Sequence, residues 1–311
     1  AQSPGLEAGG AGFIPASSDF WHFNAKTLPV GRTPAPNVWL LLGVLGSGTD
    51  GLSGYSAIAR SHQAAASIPV DGSSIGVLFT RTAGSGVFSV NAGGKTYPID
   101  AHTSGRPAVA AQWITVPAGT KTIVVHGPRS GRLTFDGVIV RRPPVAGRIG
   151  VEVENLGHTG HYLGQDSAPR IAAAIRAQRF DISLFLGVYR REFDAAVGNA
   201  GQHESAYAAE LRARVRLVRS AGGACVIADP TPLPVPASIS ARFAEIDRQL
   251  AQAEGCAYTA ALAHLWNPAT AVATGVTIVD GIHPSGAGYR LMAQALDPLL
   301  AGLVQARAAG R

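Results

Sequence analysis

The stretch "VDGIHPSGAGYRLMAQAL" (279–296) holds the residues best suited to chemistry. Asp280 and His283 stand three apart, just before a helix-forming run. A tight loop can turn the Asp280 carboxylate onto one ring nitrogen of His283, leaving the other nitrogen as a base. Pro284 stiffens that loop, Ser285 can cap the helix, and Gly286 and Gly288 let its first turn pack closely. A base needs a nucleophile, and "LLLGVLGSGTDG" (40–51) offers Ser47 in a small-residue turn after an apolar strand. If that strand ends at Leu45, Ser47 sits at its tip; if it ends at Leu42, the tip has no nucleophile. His158 and His161, in "GHTGH", read as a cleft-lining and a turn-capping residue rather than as metal ligands, because no carboxylate stands beside them at ligand spacing. Arg190 and Arg191, in "YRREF", suit an acidic sugar or a solvated loop. Trp266 precedes the Asp-x-x-His loop and is expected near the same cleft, with His264 structural. Trp113, in the β-rich region, reads as a core aromatic or as a sugar-stacking platform.

These side chains need elements to hold them. Residues 1–37 are rich in Gly, Pro and Ser and read as an irregular arm, packed through Phe20, Trp21 and Phe23. "VWLLLGVL" (38–45) is the first strong strand. From 55 to 147, short alternating runs separated by turns such as "NAGGK" and "PAGT" predict a β-sandwich. From 148, strands ("RIGVEV", "DISLFLGV", "ACVIAD", "CAYTAAL") alternate with helix-period segments. That order predicts a parallel sheet with helices on both faces. The sandwich is therefore expected as an insertion, with 38–54 joining 148–311 in one α/β domain. Cys225 and Cys256 each open a strand and are expected at one end of the sheet, as a disulfide or as two buried thiols.

The Asp-x-x-His-Pro block before the last helix resembles that of the SGNH (GDSL-type) hydrolases. "VENLGHTGH" (153–161) is similar to that family's second block, and "DISLFLGVYRREF" (181–193) falls where its third should be. The resemblance implies a flavodoxin-like α/β fold. A sandwich or jelly-roll insertion is a known arrangement in the family. It also implies a serine esterase: Ser47 as nucleophile, His283 as base, Asp280 as its orienting partner, and the Gly157 N–H as oxyanion donor. Two blocks depart from the pattern. Tyr189 stands where the family has an oxyanion-binding asparagine, and an ungapped first block gives Gly43-Val44-Leu45 in place of Gly-Asp-Ser. Tyr189 or Arg190 would have to replace the missing donor.

The expected activity is hydrolysis of ester groups, O-acetyl first, on a carbohydrate or polysaccharide, with no metal or organic cofactor. His158, Arg190, Arg191 and Trp266 would line the substrate. Two alternatives remain open: a protein of this fold that binds glycans without cleaving them, and glycoside cleavage by Asp280 with Glu192 or Asp194. The net charge of +6 comes mostly from scattered arginine; the densest run, "RARVRLVR" (212–219), reads as a helix face and not as a nucleic-acid patch. No apolar run approaches the ~20 residues of a membrane span. The start, "AQSPGLEAGG", resembles the mature side of a signal cleavage site. Secretion, periplasmic export or a place in a phage-like particle is the expected location.

Overall fold

The computed structural model describes residues 6–8, 12–15, 24–29, 36–42, 56–143, 149–151, 180–186, 190–279 and 281–310. They fall into two compact units, one up to Val151 and the other from Phe180 onward. In chain order, the first unit holds β1 (Leu6–Ala8), β2 (Gly12–Pro15), β3 (Asn24–Ala25), β4 (Thr27–Pro29), β5 (Trp39–Leu42), β6 (Ser56–Ala59) and β7 (Ala65–Pro69). It continues with β8 (Ser74–Arg81), β9 (Val87–Ala92), β10 (Lys95–Asp100), β11 (Ala108–Thr115), β12 (Thr122–His126), β13 (Leu133–Arg141) and β14 (Ile149–Val151).

One sheet runs β10-β9-β12-β7-β3, the other β11-β8-β13-β6-β5-β4 with β2 also on β13. Alternation makes the sandwich: Ile123 and Val125 of β12 and Phe88 and Val90 of β9 are buried every second residue. They share one core with Ile75, Val77 and Phe79 of β8. Phe79 and Phe88, from opposite sheets, meet edge to face at 5.3 Å. A bulge between Phe135 and Gly137 shifts the register of β13. It lets Val138 and Val140 face the same core as Leu133 and Phe135.

Two expectations about this unit change. The run 38–45 does not join the parallel sheet: its described part, β5, pairs with β4 and β6 in the sandwich. Trp39 is fully buried there, 5.9 Å from the Phe135 ring. An apolar run without alternation fits a strand buried on both faces in either sheet, so its pattern could not choose between them. The N-terminal arm is not irregular throughout, because β2, β3 and β4 extend the two sheets and β1 pairs with β14. Strands of two to four residues flanked by Gly and Pro leave no period to read. Phe20, Trp21 and Phe23 lie outside the described residues.

The second unit holds β15 (Ile182–Leu186), α1 (Arg190–Ser220), β16 (Ala224–Ala228), α2 (Ala237–Glu254), β17 (Ala257–Thr259) and α3 (Gly286–Ala309). The three strands are parallel, in the order β15-β16-β17. The pleat divides their side chains. Phe185, Cys225, Ile227 and Tyr258 pack with Tyr207 and Leu211 of α1 and Phe243 and Leu250 of α2. Leu184 and Ala228 pack with Met292 and Leu296 of α3. The described strands therefore carry α1 and α2 on one face and α3 on the other.

Cys225 and Cys256 form a disulfide between β16 and the start of β17. Gly255 ends α2 in the left-handed conformation at φ 65°, and the next amide turns back to Ala251 O. The arginine-rich run is a tether between helices: Arg212 and Arg216 reach the Glu254 carboxylate at 3.3 and 2.9 Å, and Arg219 donates to the Glu254 carbonyl.

Candidate functional site

The direction of α3 locates His283. Near its C-terminus, Arg307 donates to Gly222 O and lies 3.9 Å from Asp181, both just before strand starts. Fifteen residues earlier, Met292 packs on Ala228, the last residue of β16. About 22 Å of helix thus spans about 20 Å of strand in the opposite sense. The N-terminus of α3, and the loop before it, lie past the C-terminal ends of the strands. That is the edge where open α/β sheets place their ligands.

The loop is tightly built. Thr277 and Pro284 form an antiparallel bridge, and Ile278 N–H donates to His283 O at 2.9 Å. Gly281, at φ 71°, donates its N–H to Ile278 O at 2.9 Å, closing the tip. Ser285 caps α3, its Oγ accepting from the N–H groups of Ala287 (3.1 Å) and Gly288 (3.3 Å). The same hydroxyl donates to Gly275 O at 2.5 Å, and Ser285 N–H donates to Val276 O at 2.9 Å. A Cβ on Gly288 would come within 2.2 Å of Val276 O, so only glycine lets the helix sit this close. His283 is exposed at the tip of this frame. A base here keeps its position without being buried.

The same edge carries groups that sequence reasoning passed over. Asp229 directly follows β16 and is almost fully buried. Its carboxylate accepts from the Tyr258 hydroxyl at 2.7 Å. Burial pushes its pKa up, while the Tyr258 bond and the charge of His264 pull it back. The strand-end position of the aspartate in "ACVIAD" was the available signal. Deeper in, Asp247 of α2 is fully buried; it accepts from the Tyr207 hydroxyl at 2.6 Å, and its second oxygen has no hydrogen-bond partner. Burial pushes its pKa up to about 7, with the Asp229 charge adding to the rise.

Trp266 is half-buried against the cluster that holds Ala228 and Met292, and its indole N–H donates to Pro232 O at 3.1 Å. Its polar atom thus braces the 230–235 segment, leaving ring surface as what it can offer a ligand. Arg190 and Arg191 are not on a loop: they open α1. Trp113 is not a core aromatic: it is 42% exposed, with its six-membered ring lying on Gly76 and the Arg141 guanidinium 4.3 Å from the ring centroid. Ser47, Gly157, His158, Tyr189 and Asp280 lie outside the described residues. Among the described residues no three His, Cys, Asp or Glu side chains cluster as a metal site, and no helix is long and apolar enough to cross a membrane.

No protein-family profile matches the chain, and no curated protein matches it in sequence. Three similar solved structures can be given. A salicylyl-acyltransferase, SsfX3, from a tetracycline biosynthetic pathway is 15% identical, with a TM-score of 0.39 over 81% of this chain and 83% of that one. A family two carbohydrate esterase from Cellvibrio japonicus is 12% identical, with a TM-score of 0.32 over 94% and 98%. An acetyl xylan esterase, Est2A, from the rumen bacterium Butyrivibrio proteoclasticus is 10% identical, with a TM-score of 0.25 over 79% and 88%. At identities and scores this low, the likeness assigns the chain neither a family nor an activity.

Proposed function

We propose that the second unit is a flavodoxin-like domain of SGNH type and that the protein hydrolyses ester groups, O-acetyl being the simplest, on a carbohydrate or polysaccharide. The observation that carries this reading is the station of His283: exposed, on a braced loop, past the C-terminal ends of parallel strands. In the proposed reaction Ser47 Oγ attacks the acyl carbon, and His283 takes its proton and passes it to the leaving sugar oxygen. Asp280 orients the imidazole. The N–H groups of Gly157 and Ser47, with a Tyr189 or Arg190 donor, would hold the oxyanion. His158, Arg191 and Trp266 would contact the sugar, and the sandwich would shape the polymer. Water completes the cycle; this route needs no metal or organic cofactor. Export belongs to the proposal, and the Cys225–Cys256 disulfide suits an oxidising compartment.

Intact mass after treatment with a fluorophosphonate tests the nucleophile. One adduct is expected on the wild-type protein, and none on Ser47→Ala or His283→Ala. A folded wild-type protein that takes no adduct would overturn the serine mechanism.

One observation favours a second reading. The strand that precedes Ser47 belongs to the sandwich sheet, not to the sheet that carries His283. The first-block resemblance needs that strand in the parallel sheet, so its place in the sandwich favours a glycan-binding protein without hydrolysis. Binding of acetylated xylan without acetate release would select it.

A further inference from the structure

Seven large hydrophobic side chains are exposed among the described residues, and four of them lie on or against the loop and helix start that carry His283. Val279, 92% exposed, is at the tip of the loop, with Ile278 (48%) beside it. Ile278 is the residue whose N–H holds His283 O. Val272 (46%) stands against the tip: its Cγ2 is 3.7 Å from where a Gly281 Cβ would be. Tyr289 (59%) projects from the first turn of α3, its N–H bonded to Ser285 O. Leu186 (42%) ends β15 one pleat beyond Leu184, which packs on α3. It is therefore on the α3 face, at the same edge. The remaining two, Val87 and Trp113, are in the sandwich.

Isolated exposed apolar residues are ordinary, but a contiguous set round one polar group marks a binding surface. Four of the five lie on or against the loop that carries the imidazole proposed as the base, and Leu186 ends a strand at the same edge. We propose that Leu186, Val272, Ile278, Val279 and Tyr289 bind an apolar acyl chain, so that the preferred ester carries a medium-length alkyl acyl group rather than acetyl. This rests on the esterase reading for its chemistry, not for the binding. A methyl group can cover one of these side chains, whereas an alkyl chain of about eight carbons can cross several. Each methylene taken from water strengthens binding by about fourfold when fully buried.

The probe is octanoate, the product acid, compared with butyrate by isothermal titration calorimetry, with the protein's mass followed by sedimentation. Neither needs a nucleophile. A monomer that binds octanoate at least tenfold more tightly than butyrate is expected. Val279→Ser and Val272→Ser should each weaken octanoate three- to tenfold and leave butyrate unchanged, and Val87→Ser, in the other unit, should alter neither. Equal affinity for the two acids, no binding of either, or insensitivity to both substitutions overturns the proposal. So does a stable dimer that Val279→Ser disperses, since the patch would then face a second copy. Octanoate preference without a fluorophosphonate adduct would sink the serine mechanism and leave the acyl site standing.

Discussion

At the residue scale, Asp247 makes the clearest demand on solution behaviour. Folding places its carboxyl in the core with one hydrogen bond, and burial raises its pKa to about 7. Unfolded, it releases its proton near the ordinary carboxylate value. The folded state therefore holds a proton that the unfolded chain lacks between those two points. Stability from this group is greatest at low pH, falls as pH rises from about 4 to about 7, and is level above. The span corresponds to roughly 4 kcal/mol at most. Asp247→Asn can keep the Tyr207 bond and removes the titration. Urea midpoints from pH 4.5 to 7.5 should then fall less steeply than in the wild type. Some slope should remain, because burial also raises the Asp229 pKa. Sequence reading missed both carboxyls: an aspartate in "AEIDRQL" looks like any polar helix position until the fold turns it inward.

At the element scale, the loop and cap before α3 matter more than any strand. Ser285→Ala removes the acceptor for two helix N–H groups and the donor to Gly275 O. A loss of about 1–2 kcal/mol is expected by denaturant titration. Gly288→Ala should cost more, because a Cβ there meets a backbone oxygen, not a side chain that can turn away. The cap was legible in sequence because its parts are local: the capping Ser285 and the glycines Gly286 and Gly288 follow one another within four residues. The α3 helix and the short turns of the sandwich were legible for the same reason. The place of β5 was not, since partners such as Ile58 and Ala57 are chosen by tertiary pairing. The start of α1 at Arg190 was also hidden, because "YRREFDAAVGN" lacks a capping residue and a clear apolar stripe.

At the scale of the whole molecule, two units have separate cores, and the disulfide lies in only one of them. Heating should not be described by a single two-state transition. Calorimetry with and without reductant should lower only the transition of the α/β unit. Opening a loop of this length corresponds to about 3–4 kcal/mol in a chain-entropy account. The pairing of β1 with β14 bears on how the protein is made. Leu6 has Ile149 as its partner, so the first strand must wait for about 140 further residues to leave the ribosome. A chain halted before that point would leave β1 without its partner. The first unit closes only as synthesis of the second begins.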